Sequence, residues 1–291
     1  MLAAGLYGAN VAYNVLNKRV LIAEPFPLTV TAINFGTCSL CCVLMWLFRI
    51  QGPPPKLSQK EVLKILPLVI LHWTGIAFAN ISVSEVNIAF VHTVKSAEPF
   101  LTALLMMSTT RISTKSWISL LLVFVGVGVA ASTEVAFTPL GFWAAMASNL
   151  GVSLRTVMSK RLIDGHIGGD PLNFIALLHC GAFFVALPIA LCVEGNQLFT
   201  ILREGTIVIM FVGTLVWVFN CASILILSRT SPVTHSMIRT FRRPVLVMSS
   251  ILCFGTHVEP LNIVGIALAL FGAWLYSHEG CIECRLANSC Q

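Results

Sequence analysis

Long runs of apolar residues, separated by short polar breaks, make up most of the chain. A helix that crosses a bilayer needs about 20 mostly apolar residues, and the runs have roughly that length. Prolines, glycines and charged residues fill the breaks, which is typical of turns. The pattern predicts ten membrane-spanning helices, over residues 2–22, 28–48, 63–83, 86–107, 116–133, 139–162, 171–193, 206–228, 232–254 and 260–277.

Composition excludes a soluble globular protein. Of the 291 residues, 57% are hydrophobic and 10% are charged, and the mean hydropathy is +0.88. A soluble domain carries about 25% charged residues. The excess of 18 Lys+Arg over 12 Asp+Glu does not indicate nucleic-acid binding, because basic residues in membrane proteins collect in cytoplasmic-side loops or line anion paths. We therefore predict an all-α membrane protein with no soluble domain.

The two halves of the chain resemble each other. Pro99 and Pro244 each interrupt a span that carries charged residues, and Gly126 and Gly272 lie in the spans that follow, at almost the same separation. We predict a first five-helix repeat over 1–134, a second over 135–280 and a polar tail over 281–291. Because five is odd, the second repeat is inverted in the membrane, an architecture that suits alternating access around a midplane site.

Several ionisable residues lie inside predicted spans, where each costs at least about 2.5 kcal/mol. Only one of these residues is an acid and several are cations. This surplus of positive charge favours the binding of a multiply charged anion. Arginine is suited to a bidentate grip on phosphate. These residues are His92, Lys95 and Glu98 in span four, Arg155 in span six, and Arg239, Arg242 and Arg243 in span nine.

Other polar residues in or near the spans have simpler interpretations. His72 and His179 are predicted to be satisfied core residues, and Lys18, Lys160 and Arg161 to lie at the membrane interface. As an alternative to an anion site, Glu98 pairs with an arginine and the other cations reach the membrane interface; Arg239 in particular either joins the cluster or reaches the interface. Ten cysteines are present, but Cys281 and Cys284 form a single CxxC motif without a second pair, so neither a metal site nor a cofactor is predicted.

Four sequence strings resemble the plastid triose-phosphate/phosphate translocators, members of the drug/metabolite transporter superfamily. They are YNVLNK at 13–18, PPPKLS at 53–58, FVHTVKSAEPF at 90–100 and GFWAAMASN at 141–149. The resemblance covers nearly the whole chain. It implies ten helices in two inverted repeats, a plastid inner-envelope location, and exchange of phosphate for triose phosphate, 3-phosphoglycerate or related sugar phosphates.

The resemblance also assigns residues. The family's phosphate-binding lysine corresponds to Lys95, and its Lys-Arg pair corresponds to Arg242-Arg243. A tyrosine of the family is replaced by Phe219, and a threonine and a histidine of some members correspond to Ala79 and Ile76. The groups that contact the organic part of the substrate are therefore changed. Together, the residues and the resemblance predict a phosphate-binding site of Lys95, Arg242, Arg243, Arg155, His92 and Phe219.

The predicted function is an antiporter that exchanges phosphate for small phosphorylated metabolites, and there are two alternatives. A nucleotide-sugar transporter of the Golgi or endoplasmic reticulum also binds anions, and the changes at Phe219 and Ala79 leave room for one. An integral membrane enzyme would need a nucleophile, a metal cluster or a pair of acids at one depth. Glu98 is the only deep acid in the sequence, so we predict that the protein is not an enzyme.

Overall fold

A computed structural model describes residues 2–49, 52–106, 114–134, 137–195, 206–241, 243–255 and 259–288. Within these ranges the chain forms twelve helices. The first six are α1 (Leu2–Ala23), α2 (Pro27–Leu47), α3 (Gln59–Glu85), α4 (Ile88–Lys95), α5 (Glu98–Met106) and α6 (Thr114–Thr133). The last six are α7 (Pro139–Asp164), α8 (Pro171–Glu194), α9 (Thr206–Arg229), α10 (Pro232–Phe241), α11 (Arg243–Phe254) and α12 (Pro260–Asn288).

These helices match the ten predicted spans closely. The fourth predicted span corresponds to α4 and α5, and the ninth to α10 and α11, which flank Arg242. Arg242 itself lies outside the described residues. The last helix continues to Asn288, beyond the predicted end at residue 277. The prediction of an all-α, multi-pass membrane protein is confirmed.

Length and composition alone single out only some of these helices as membrane spans. Within the described ranges, the helices Pro27–Leu47, Gln59–Glu85, Pro171–Glu194 and Ile207–Arg229 are long and apolar enough to cross a bilayer. Shorter apolar helices lie at Trp117–Thr133, Val245–Phe254 and Pro260–Tyr276. Some of the remaining helices, α4 and α7 among them, contain the buried polar and charged residues that build the site described below.

The fifth helix of each predicted repeat packs against its counterpart with almost no space between the backbones. A Cβ atom added at Gly126 of α6 would lie 2.3 Å from the backbone nitrogen of Ala269 in α12. One added at Gly265 would lie 2.6 Å from the nitrogen of Ala130, and one at Gly272 would lie 2.8 Å from the carbonyl oxygen of Ser119. Glycine is therefore required at this contact, since small residues allow membrane helices to approach closely.

Polar contacts connect α2, in the first half of the chain, to α8, in the second half. The carboxylate of Glu194, at the end of α8, accepts hydrogen bonds from the backbone nitrogens of Leu28 and Thr29 at 3.0 and 2.7 Å. A carboxylate is well placed there because the first N–H groups of α2 have no partner inside the helix. At the other end of α2, the indole nitrogen of Trp46 donates to the side-chain oxygen of Asn173 in α8 at 2.7 Å.

Candidate functional site

The site is built around the interruption of the fourth span. Ser96 and Ala97 form a turn between α4 and α5, and Pro99 has no N–H with which to continue the helical ladder. The side-chain nitrogen of Asn149, on α7, donates to the carbonyl of Val94 in the last turn of α4 at 2.9 Å. An interrupted backbone at membrane depth is tolerated where neighbouring groups satisfy it in this way.

This interruption brings Glu98 to the start of α5, where it meets two arginines of the second half. Nη2 of Arg243 lies 2.5 Å from Oε2 of Glu98, and Nη1 of Arg239 lies 3.5 Å from Oε1. Glu98 and Arg243 are 2% and 4% exposed. The Nε atoms of both arginines are buried and have no hydrogen-bond partner among the described residues. One carboxylate is therefore shared between two guanidinium groups that retain unused donors.

Two more cations face the same space. Arg155, on α7, is 6% exposed, and no carboxylate of the described residues lies within ion-pair distance of it. Lys95 is half-buried at the end of α4. A buried charge such as that of Arg155 is costly unless a partner compensates it, so the cavity is electrostatically suited to an anion.

Amide side chains form another part of the cavity wall. The side-chain oxygen of Asn14, on α1, is 3.0 Å from Nε2 of His92. Asn17 donates to the side-chain oxygen of Asn80 at 2.9 Å, and Asn80 donates to the hydroxyl of Thr31 at 2.7 Å. This network holds α1, α2 and α3 together and leaves a polar but uncharged surface towards the cavity.

One central cavity collects these groups from both halves of the chain. Its described lining contains four cations, Lys95, Arg155, Arg239 and Arg243, and one acid, Glu98. Asparagine and histidine side chains cover another part of the wall, and apolar residues complete it. The polar uncharged lining consists of Asn10, Tyr13, Asn14, Asn17, His72, Asn80, His92, Asn149 and Asn220, and the apolar part includes Ile76, Ala79, Val152, Val216, Phe219 and Leu246.

Most of the residues predicted from sequence thus meet at one place. Lys95, Arg155, Arg243, His92 and Phe219 all line the cavity, and Arg242 lies outside the described residues. Arg239, for which the sequence left two interpretations open, lies beside Glu98 and not at the membrane interface. Their roles in binding remain predictions, because their position alone does not show what they bind.

The asparagines of the cavity wall were not predicted from the sequence. The asparagines of α1 recur at Asn10, Asn14 and Asn17, a spacing that places them on one helix face, and this signal could have identified them. The interpretation of the two histidines also needs a correction. His72 and His179 contact each other, with 3.2 Å between Nε2 and Nδ1, but Nε2 of His179 is buried without a partner in the described part of the chain.

Comparison with known proteins decides the family. The model of the triose-phosphate transporter family matches residues 1–277. The chain is 36% identical to phosphoenolpyruvate/phosphate translocator 2 of Arabidopsis thaliana over 97% of its own length and 78% of that protein. It is also 36% identical to phosphoenolpyruvate/phosphate translocator 3 of Oryza sativa subsp. japonica, over 93% of this chain and 72% of that one.

The chain belongs to the triose-phosphate transporter family.

More distant members of the triose-phosphate transporter family carry other names. Glucose-6-phosphate/phosphate translocator 2 of Arabidopsis thaliana is 32% identical over 95% of this chain and 75% of its own. A protein of known crystal structure, 16% identical in sequence, superimposes with a TM-score of 0.57 over 94% of this chain and 98% of its own. That likeness concerns the fold alone. The relatives at 30–36% identity show that the resemblance in the sequence strings reflects family membership.

Proposed function

We propose that the protein is an antiporter that exchanges inorganic phosphate for a small phosphorylated metabolite by alternating access. The observation that carries this proposal is the cavity lining, in which four cations face one acid among the described residues. A divalent phosphate would compensate the excess positive charge, and the planar guanidinium groups of Arg155, Arg239 and Arg243 match its oxygens. The family is one of transporters, and we infer that this member is not an enzyme.

Exchange rather than one-way transport follows from the same electrostatics. With the cavity empty, Arg155 lacks a nearby acid and Glu98 is shared by two arginines. Closing both sides of the protein around uncompensated charges removes them from water, which is unfavourable. A bound anion removes this penalty. The loaded carrier therefore changes its orientation readily, whereas the empty carrier does not.

Among phosphorylated metabolites, a three-carbon acid such as phosphoenolpyruvate fits the lining best. Ile76, Ala79 and Phe219 present apolar surface to the cavity, which favours a substrate without hydroxyl groups at those points. A substrate that carries a carboxylate as well as a phosphate could place the carboxylate against the cations that the phosphate does not contact. Two relatives at 36% identity are named phosphoenolpyruvate/phosphate translocators, and these are chloroplastic proteins. We accordingly place the protein in a plastid envelope.

Counter-exchange in proteoliposomes tests the proposal. Vesicles loaded with phosphate are expected to take up labelled phosphate and phosphoenolpyruvate readily, triose phosphate and 3-phosphoglycerate less well, and hexose phosphates least. Empty vesicles should take up none. Uptake of nucleotide sugars in preference to phosphates would overturn the assignment and support the alternative of a nucleotide-sugar transporter. Uptake of phosphate into vesicles without an internal anion would overturn obligatory exchange.

A matched pair of lysine variants tests whether phosphate exchange depends on the cavity. Lys95 lines the cavity, whereas Lys64 is exposed on the first turns of α3. Lys95→Ala should lower phosphate exchange by about 100-fold, since losing one partner of a buried charged contact costs 2 kcal/mol or more. Lys64→Ala should leave it unchanged. Equal exchange by both variants would show that Lys95 does not contact the transported anion.

A further inference from the structure

Two lysines make the same contact at opposite ends of the molecule. Nζ of Lys18, near the end of α1, donates to the carbonyl oxygens of Val83 and Val86 at the end of α3. Nζ of Lys160, near the end of α7, donates to the carbonyl oxygen of Ser228 at the end of α9, at 3.0 Å. In the predicted repeat, α1 corresponds to α7 and α3 to α9. The contact therefore occurs once in each half.

The two contacts lie on opposite sides of the membrane. Consecutive spans cross the bilayer in alternating directions, so α1 and α3 both end on the side away from the N-terminus. Because α4 and α5 together form the fourth span, α7 and α9 are the sixth and eighth spans, and both end on the N-terminal side. Each lysine thus joins two helices on one side of the membrane, and alternating access would require the central cavity to open to each side in turn.

Each contact also holds an element that carries cavity charge. Val86 lies two residues before Ile88, where α4 begins, and α4 ends at Lys95. Ser228 lies in the last turn of α9, and the chain turns there into α10, which carries Arg239. The helices on the other side of the contacts, α1 and α7, contribute Asn14 and Arg155 to the cavity. Each lysine therefore connects parts of the cavity wall to each other.

The chemistry of the contact between lysine and carbonyl allows it to break and form again. The last carbonyls of a helix lack partners within it and carry partial negative charge. An ammonium group has three donors, and water can replace it at the carbonyls when the route opens. Lys160 also lies 3.0 Å from Oδ1 of Asp164 on its own helix, so it keeps a partner after release.

We propose that Lys18 and Lys160 are the positioning residues of the two access routes: each holds one route closed and releases its carbonyls when that route opens. This assignment rests on the proposed exchange function, since only a protein that opens to each side of the membrane in turn needs a breakable contact on both sides. It replaces the prediction that both lysines only mark the membrane interface.

Accessibility of the cavity from each side tests this proposal. A cysteine replaces Val216, which lines the cavity, in a cysteine-free version of the full chain. The labelling rate with a membrane-impermeant maleimide is measured in vesicles of both orientations. Lys18→Gln should raise labelling from the side away from the N-terminus by about tenfold, the effect of losing one charged hydrogen bond, and should lower it from the N-terminal side. Lys160→Gln should do the opposite.

The chain offers a matched control for each variant. Arg19 and Arg161 are the neighbouring basic residues, and both side chains are exposed. Arg19→Gln and Arg161→Gln should leave labelling from both sides unchanged. Shifts in the same direction for the two lysine variants, no shift, or equal shifts in the controls would overturn the proposal.

Two further arms keep the test decisive. If a glutamine variant does not fold, Lys18→Arg and Lys160→Arg serve instead, because a planar guanidinium keeps the charge but not the geometry of an ammonium. Smaller shifts of opposite sign are then expected, and shifts of the same sign contradict the proposal. Labelling requires no transport. Opposite shifts in a protein without phosphate exchange would therefore overturn the proposed function, whereas normal exchange without shifts would overturn only the assignment of the two lysines.

Discussion

The two predicted repeats each place a charged residue directly before a proline, but the two charges have opposite sign. In the first half, Glu98 precedes Pro99 at the start of α5, and in the second half Arg243 precedes Pro244 at the start of α11. The two equivalent positions carry opposite charges and meet at 2.5 Å. The opposite charges at these two positions form an ion pair that joins the two parts of the chain.

The rest of the cavity is divided in the same way. The first half contributes Lys95, the acid and most of the amides, whereas the second half contributes Arg155, Arg239 and Arg243. A symmetrical cavity would place equal charge on both walls. Here three of the four cations of the described lining come from the second half of the chain.

The largest effect is expected from removing the one acid of the described lining. Glu98→Gln keeps the shape of the side chain but leaves Arg239 and Arg243 without a carboxylate. Breaking a buried ion pair on one side costs about 3–5 kcal/mol, so thermal unfolding in detergent should shift to much lower temperature. Phosphate should restore most of the loss, because it supplies the missing negative charge. An equal loss with and without phosphate would show that the anion does not bind near Glu98.

The next effect concerns the partner of that acid. Arg243→Ala removes a buried donor that faces the cavity, and phosphate exchange should fall by about 100-fold, as for other truncated buried charge pairs. Counter-exchange in proteoliposomes measures it. Arg243→Lys serves as the control, since it keeps the charge without the planar donors, and should retain part of the activity. Full activity of Arg243→Ala would place the phosphate away from the contact between the halves.

Much of this site could be predicted because charge inside a membrane is rare. Lys95, Arg155 and Arg243 stand out in apolar runs, and the cost of burying them points to a shared purpose. The sequence could not show which cations meet the acid, because that depends on how α5 and α10 pack. Arg239 is the example, since reaching the interface and facing Glu98 are equally compatible with its position along the helix.

Uncharged polar residues were harder to predict. Asn14 and Asn80 lie in apolar helices where an asparagine can face a neighbouring helix as easily as a cavity, and only tertiary packing distinguishes the two. The contacts of Lys18 and Lys160 were likewise hidden. Their positions at span ends are typical of interface residues, and the carbonyls that they bind belong to other helices.

The third prediction tests how closely the two halves are packed. At Gly126 an added Cβ would lie 2.3 Å from the backbone of α12, whereas at Gly128, on the same helix, nothing lies within 4 Å. Gly126→Ala should lower the free energy of unfolding by about 1–3 kcal/mol, as overpacking does. Gly128→Ala should leave it unchanged or raise it by up to about 1 kcal/mol, because alanine favours a helix more than glycine does. Thermal unfolding in detergent compares them. Equal stability of the two variants would show that α6 and α12 are farther apart in the folded protein.

The smallest effect should appear in substrate preference, at the uncharged part of the cavity. Phe219→Tyr adds a hydroxyl to a residue of the lining. One neutral hydrogen bond is worth about 0.5–1.5 kcal/mol, so preference should shift by roughly 2- to 10-fold towards hydroxylated substrates such as 3-phosphoglycerate, measured against phosphoenolpyruvate in the same vesicles. Phe211→Tyr, on the exposed face of α9, is the control and should leave the ratio unchanged. A uniform loss of exchange in place of a changed ratio would mean that Phe219 shapes the cavity without contacting the organic part of the substrate.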